Sequence, residues 1–329
     1  MENITMEVLP DDAPETAEPT ATTSKRSTEL YAKNLFRLND KQPIKNYNFL
    51  KNHEEILEKI QKYKPNTQRS YLISIVSTLK PLPKFKKYFK IYYDLMMQMN
   101  KDLKTQNTKS ETQKENWMSQ DAVKDVYQHL ADEVSALNNK KKAFTTEADY
   151  NTLLSFMVLS LYVLQPPRRN RDYQMMVIGV PSSTLTNDDG ESPNFLDLEN
   201  NKFVFNNYKT KKTYKTQETS IPSDLMEVIK LYLAHHPSKP LLKKSKKQLA
   251  TSPPPFLVDF RGEPLVHVNA ITRILNKVFK KNVGVSMLRN IYLTDKYREP
   301  VKGLDADAHA MGTSSNTIMD NYVKVDEKE

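Results

Sequence analysis

The stretch Met311-Gly-Thr-Ser-Ser-Asn-Thr-Ile-Met-Asp-Asn-Tyr322 decides how this chain is read. A small-residue turn at Gly312 leads through serine, threonine and asparagine, which cap helix N-termini well, into a short helical pattern ending on a tyrosine. Alone, Tyr322 would do no more than pin the end of the chain with its ring. Three upstream segments change that: Pro167-Arg-Arg-Asn-Arg-Asp172, Tyr208-Lys-Thr-Lys-Lys212 and Ser286-Met-Leu-Arg289.

Bulk properties narrow the classes available. A length of 329 residues leaves room for two domains. Mean hydropathy of −0.67 and 38% hydrophobic residues describe a polar chain. No apolar run approaches the roughly 20 residues that span a bilayer, so no membrane partner is expected. The N-terminus lacks a basic-plus-apolar signal region, which points to an intracellular protein, located wherever its partner resides. With no cysteine there is no disulfide, thiol nucleophile or thiolate-bound metal. The six histidines have no zinc-like spacing with a carboxylate nearby, so no metal site is expected. The net charge of +9 is uneven: residues 1–24 hold six acids (Glu2, Glu7, Asp11, Asp12, Glu15, Glu18) and no lysine or arginine. Removing that −6 leaves +15 on the remainder, a surplus that favours phosphate contacts.

In chain order, residues 1–27 read as a disordered acidic tail. Residues 28–104 read as four short helices separated by Pro-marked turns, with Ser70–Leu79 stopped by Pro81 and Pro83 and a last helix over Phe85–Met99. Lys84, Lys86, Lys87 and Lys90 cluster at the start of that last helix, where a DNA-binding domain would meet backbone phosphates. Residues 105–116 read as a polar linker, flexible or semi-extended. The second domain, 117–329, opens at Trp117. It continues with helices over Ala122–Leu137 and Asp149–Leu164, the latter strongly apolar and ended by Pro166-Pro167. Asn194–Leu198 and Lys202–Asn206 alternate around Glu-Asn-Asn, a hairpin signature, and Thr216–Pro222 can add a third strand. Helices follow at Ser223–His235 and Asn269–Lys281, separated by a basic loop (Lys239 to Lys247) and a short extended piece from Phe256. The expected fold is mainly α with a small antiparallel sheet.

Arginine, lysine, arginine and tyrosine in that order resemble the active site of the tyrosine recombinase (phage-integrase) family. The family's first arginine follows an apolar helix and precedes an acid by three; Arg169 and Asp172 fit, with Arg168 and Arg171 as competitors that would line a phosphate groove. Its lysine lies on a β-hairpin turn. Lys209 is the first choice and Lys212 stands close behind, with Lys211 and Lys215 beside them. Its second arginine sits in a His-x-x-Arg motif. Arg289 matches, but Ser286 stands where the histidine would be. Thr313 follows Gly312 where the family has His or Trp, at the family's spacing before Tyr322. His309 is a candidate substitute for the missing imidazole.

The resemblance covers residues 28 onward. It implies a helical core-binding (SAM-like) domain followed by an α+β catalytic domain, together clamping double-stranded DNA. Tyr322 would attack the scissile phosphate to give a 3′-phosphotyrosine. Arg169 and Arg289 would hold the non-bridging oxygens, and Lys209 or Lys212 would protonate the leaving 5′ oxygen. No metal or nucleotide cofactor is required by that chemistry, and four protomers would assemble on paired sites. Similar proteins in phages, large DNA viruses and mobile elements suggest integration or genome resolution. Ser286 and Thr313 can hydrogen-bond a phosphate oxygen but do not titrate near neutral pH, so cleavage slower than usual is expected. The rival expectation is a DNA-binding protein that kept the fold and lost the chemistry.

Overall fold

The computed structural model describes residues 25–104, 109–140, 142–179, 181, 192–238, 252–311, 315 and 319. The chain forms two compact units, Met1–Thr108 and Lys109–Glu329. It is mainly helical with one small sheet, and among the described residues no helix is long and apolar enough to cross a membrane.

The first unit holds α1 (Lys25–Leu38), α2 (His53–Gln61), α3 (Pro65–Leu79) and α4 (Lys86–Lys104). Pro65 opens α3 at a position where its missing N–H costs nothing. Helix α1 begins inside the stretch expected to be tail; residues 1–24 lie outside the described residues. Leu35, Leu50, Ile75, Phe85 and Tyr92 are at most 2% exposed, and burying side chains of this size contributes about 1.5–3 kcal/mol each. The Tyr92 hydroxyl donates to the Leu50 carbonyl at 2.9 Å, so the one polar atom that this core receives from α4 is satisfied.

The expected linker needs correction. Helix α4 runs to Lys104, and α5 (Glu111–Asn116) fills the second half of the segment. Its start is a capping box: the Ser110 hydroxyl accepts from the Gln113 N–H, and the Gln113 side chain accepts from the Ser110 N–H. Trp117 packs partly buried against the second core, with the Lys109 ammonium 3.7 Å over its ring.

In the second unit α6 (Gln120–Asn138) is capped by Ser119 and α7 (Glu147–Val163) by Thr146, each accepting an N–H at 3.1 Å. Beyond Ser155, helix α7 is apolar all round but for Ser160, whose hydroxyl donates back to the Phe156 carbonyl at 2.7 Å. Leu153, Met157, Val158, Leu159 and Leu161 are fully buried, which makes α7 the central strut against α6, α10 (Ser223–Ala234) and α11 (Ala270–Phe279). The sheet comprises β1 (Val177–Ile178), β2 (Phe195–Asp197), β3 (Lys202–Phe205) and β4 (Gln217–Ser220), in that order. β2–β3 and β3–β4 are antiparallel, with Phe195 opposite Val204 and Phe203 opposite Thr219. The sheet is nonetheless mixed, because β1 pairs parallel to β2. The piece from Phe256 contributes isolated bridges rather than a strand. Between β3 and β4 lies a short helix, α9 (Lys211–Tyr214). The basic loop from Lys239 lies outside the described residues.

His236, 2% exposed, accepts the Ser238 N–H at Nδ1 (3.0 Å), which leaves Nε2–H to donate to the Phe256 carbonyl (3.2 Å). Burial holds its pKa below the ordinary histidine value, so the folded chain keeps it neutral while the unfolded chain takes up a proton below about pH 6.5. The unfolded state then binds more protons and stability falls with falling pH. Urea midpoints measured from pH 7.5 to 5.5 should decline, with a slope of at most about 1.4 kcal/mol per pH unit from this group. His236→Gln should flatten the decline.

The last helix, α12 (Val285–Ala310), passes through Pro300 and Gly303. Proline in a helix interior costs about 3 kcal/mol and glycine about 1 kcal/mol relative to alanine. A Cβ at Gly303 would meet nothing within 4 Å. Gly303→Ala should therefore stabilise the protein by about 0.5–1 kcal/mol, read as a rise of a few degrees in melting temperature.

Candidate active site

Pro166 and Pro167 end α7, and the chain turns into α8 (Asn170–Gln174), with Arg169 as its N-cap residue. Two anchors fix this turn. Asn170 donates to the Thr272 hydroxyl on α11 at 3.1 Å, and the Asn194 side chain donates to the Asp172 carbonyl at 2.9 Å. Asn194 also donates to the Asn207 carbonyl (3.0 Å), and its oxygen accepts the N–H groups of Asn206 (2.8 Å) and Asn207 (2.7 Å). Every polar atom of this buried amide is used. It ties α8 to the backbone just before Tyr208-Lys209, and the Tyr208 hydroxyl closes the following loop on the Lys215 carbonyl at 2.7 Å.

The neighbouring arginines have different partners. The Arg168 guanidinium lies 3.7 Å over the Phe205 ring, donates from Nε to Asp172 (3.0 Å), and donates from both other nitrogens to the Gln217 side-chain oxygen (3.1 and 3.0 Å). Arg168 was expected among the DNA contacts, but its fork is engaged in tying α8 to β3 and β4. Asp172 is 3% exposed; burial pushes its carboxyl up, and the Arg168 charge opposes that.

Arg169 is half-buried, and Arg289, one turn into α12, lies within electrostatic range of it. Burial pushes the Arg289 guanidinium below its usual range, and the Arg169 charge adds to that. Asp172 opposes the shift, and Arg168 reinforces it. Residues 120 positions apart in sequence thus share one electrostatic neighbourhood, whose acid, Asp172, is already paired with Arg168. The Tyr162 hydroxyl, buried within range of Arg289 and Asp172, has no hydrogen-bond partner among the described residues. Ser286, exposed in the first turn of α12, is three residues from Arg289 and so on the same side of the helix.

The remaining candidates divide cleanly. Lys209 and Lys212 are exposed on the β3–β4 connection, and Lys211 is half-buried there. Arg171 is exposed on α8, and Lys84 and Lys87 are exposed on the first unit. Thr313 and Tyr322 lie outside the described residues. His309 does not join the arginines: it is exposed in the last turn of α12, 20 residues beyond Arg289, or about 30 Å along the helix.

Asn194, Gln217 and Tyr162 are site-forming residues that the sequence reading did not find. An asparagine before a strand, a glutamine within one and a tyrosine in an apolar helix are each ordinary, and only the tertiary contacts mark them. Among the described residues no group of histidines and carboxylates could hold a metal ion. No family model matches this chain, and neither a curated protein nor a solved structure does.

Proposed function

We propose that this protein cuts and rejoins DNA through a 3′-phosphotyrosine intermediate, as a site-specific recombinase of the tyrosine type acting on double-stranded DNA. The observation that carries this reading is that Arg169 and Arg289, from distant elements, are both partly buried and within electrostatic range of one another, with Asp172 committed to Arg168. Two guanidiniums so placed suit the two non-bridging oxygens of a phosphodiester, because the planar fork is always charged and binds bidentately. Their stabilisation grows as charge builds on those oxygens in the transition state.

In the reaction the Tyr322 oxygen forms a bond to phosphorus as the bond to the 5′ oxygen breaks. The phenolic proton passes to solvent water, and Lys209 or Lys212 delivers a proton to the departing oxygen and is reprotonated from solvent. The new phosphotyrosine retains the bond energy, so a 5′-hydroxyl from a second strand can reverse the step. Assembly of four protomers on paired sites belongs to the same proposal.

A second reading is favoured by Ser286 and Thr313, which occupy positions where an imidazole would assist: a DNA-binding protein of the same fold without the chemistry. A nicked suicide duplex separates the two. Wild-type protein should form a covalent adduct on a denaturing gel, and Tyr322→Phe should form none while binding the duplex equally. A wild type that occupies the duplex without forming any adduct leaves only the second reading.

A further inference from the structure

On α4, Lys86, Lys90, Tyr93, Met97 and Lys101 follow one another at spacings of four, three, four and four residues, so they share one side of the helix over about 22 Å. All five are exposed; Tyr93 is 38% and Met97 47% exposed, and the Tyr93 ring stacks on Phe89 at 5.5 Å between centroids. The result is a stripe in which two apolar groups are flanked by cations, with the exposed Asp94 at its edge, beside the face that α4 buries, and the site described above uses none of it.

Residues 1–24 of the same chain have the complementary composition. Ile4, Met6, Val8 and Leu9 are interleaved with Glu7 and followed by Asp11 and Asp12, and the segment as a whole carries −6 with no basic residue. The linkage is short. From Leu9 to Lys25, where α1 begins, sixteen residues reach at most about 50 Å, while a unit of this size has a radius of gyration of about 12 Å. Tethering at this length supplies an effective concentration on the order of millimolar, so weak contacts suffice.

We propose that residues 4–12 dock on the α4 stripe, their apolar side chains against Tyr93 and Met97 and their acids against Lys86, Lys90 and Lys101, as a built-in competitor for polyanions. Docking stands on charge and apolar complementarity within the chain. Its consequence, a weakening of DNA binding that added salt relieves, rests on the DNA reading above.

Because the chain has no cysteine, an engineered pair reports the contact directly. Val8→Cys with Met97→Cys should form an intramolecular disulfide about tenfold faster under mild oxidation than Val8→Cys with Glu58→Cys, whose second site is exposed on α2. Adding Lys90→Glu and Lys101→Glu should remove that preference. Equal rates for the two pairs, or disulfide-linked dimers as the main product, would overturn docking within the chain. In parallel, a full-length variant with Glu2, Glu7, Glu15 and Glu18 changed to glutamine and Asp11 and Asp12 to asparagine should bind a fluorescent duplex about tenfold more tightly than the parent at about 50 mM salt, the difference closing at about 500 mM. Equal affinity of the two proteins at low salt overturns the competition. Selective cross-linking in a protein that binds no duplex in either form upholds docking and removes the DNA reading instead.

Discussion

Arg289→Ala should slow covalent adduct formation on a suicide duplex by about 10²–10³-fold while leaving the melting temperature within a few degrees of wild type. The side chain is partly desolvated and within range of the Arg169 charge, so its own charge is held in place at a cost, while the nearby acid, Asp172, is paired with Arg168. Removing it relieves repulsion in the free protein and removes stabilisation of the pentavalent phosphate. Stability and activity should therefore move independently, which a structural arginine would not allow. Arg289→Lys should recover little, because an ammonium cannot reproduce the bidentate fork. Single-turnover rates together with thermal melts would check both halves.

Asp172→Ala should have the largest effect on folding. The carboxylate is almost fully buried and is the partner of Arg168, whose side chain is 22% exposed. Truncating one member of such a pair leaves the other charge uncompensated, in this case within range of two further arginines. A loss of about 3 kcal/mol follows, at the lower end for buried pairs because Arg168 keeps Gln217 and some solvent. In a unit of this size that corresponds to a fall of roughly 6–12 °C in melting temperature. Asp172→Asn should cost less, since it keeps an acceptor for the Arg168 Nε–H. Asp172 also titrates in the unusual direction. Its folded pKa lies above its unfolded value, so its own ionisation reduces stability as pH rises through the carboxylate range. In the Asn variant that contribution disappears, and denaturation midpoints between pH 4 and pH 6 would show it.

Much of the fold was legible from local chemistry. Helix α7 announced itself as a strongly apolar run ended by two prolines, and the β2–β3 hairpin by alternation around Asn200 and Asn201. The misses have equally local causes. The capping box at Ser110 was overlooked within a polar stretch that resembled linker. β1 is two residues long, and its two N–H groups are accepted by the carbonyls of Asn194, just before β2, and of Pro254, both distant in sequence. Pro300 and Gly303 are helix-breaking residue types, and nothing in the residue pattern signals the helix that runs through them.

The candidate site was legible in part. Spacing to Asp172 selected Arg169 from a cluster of three arginines, and its charge reaches Arg289. The partner of Asp172 itself is Arg168, an arrangement that follows from packing on Phe205 and bonding to Gln217 across strands distant in sequence. Sequence alone has no means of dividing tasks between adjacent arginines. The choice between Lys209 and Lys212 stays open for a related reason. Both stand exposed on one connection, and in the proposed reaction the approach of a DNA strand would distinguish them.

The most direct test of the central claim is to trap the adduct on a nicked duplex, digest it with trypsin and nuclease, and locate the nucleotide by mass spectrometry. The account predicts a residual nucleotide joined through its 3′-phosphate to Tyr322, present in wild type and strongly reduced in Arg289→Ala. A nucleotide attached elsewhere, or joined through a 5′-phosphate, would contradict it.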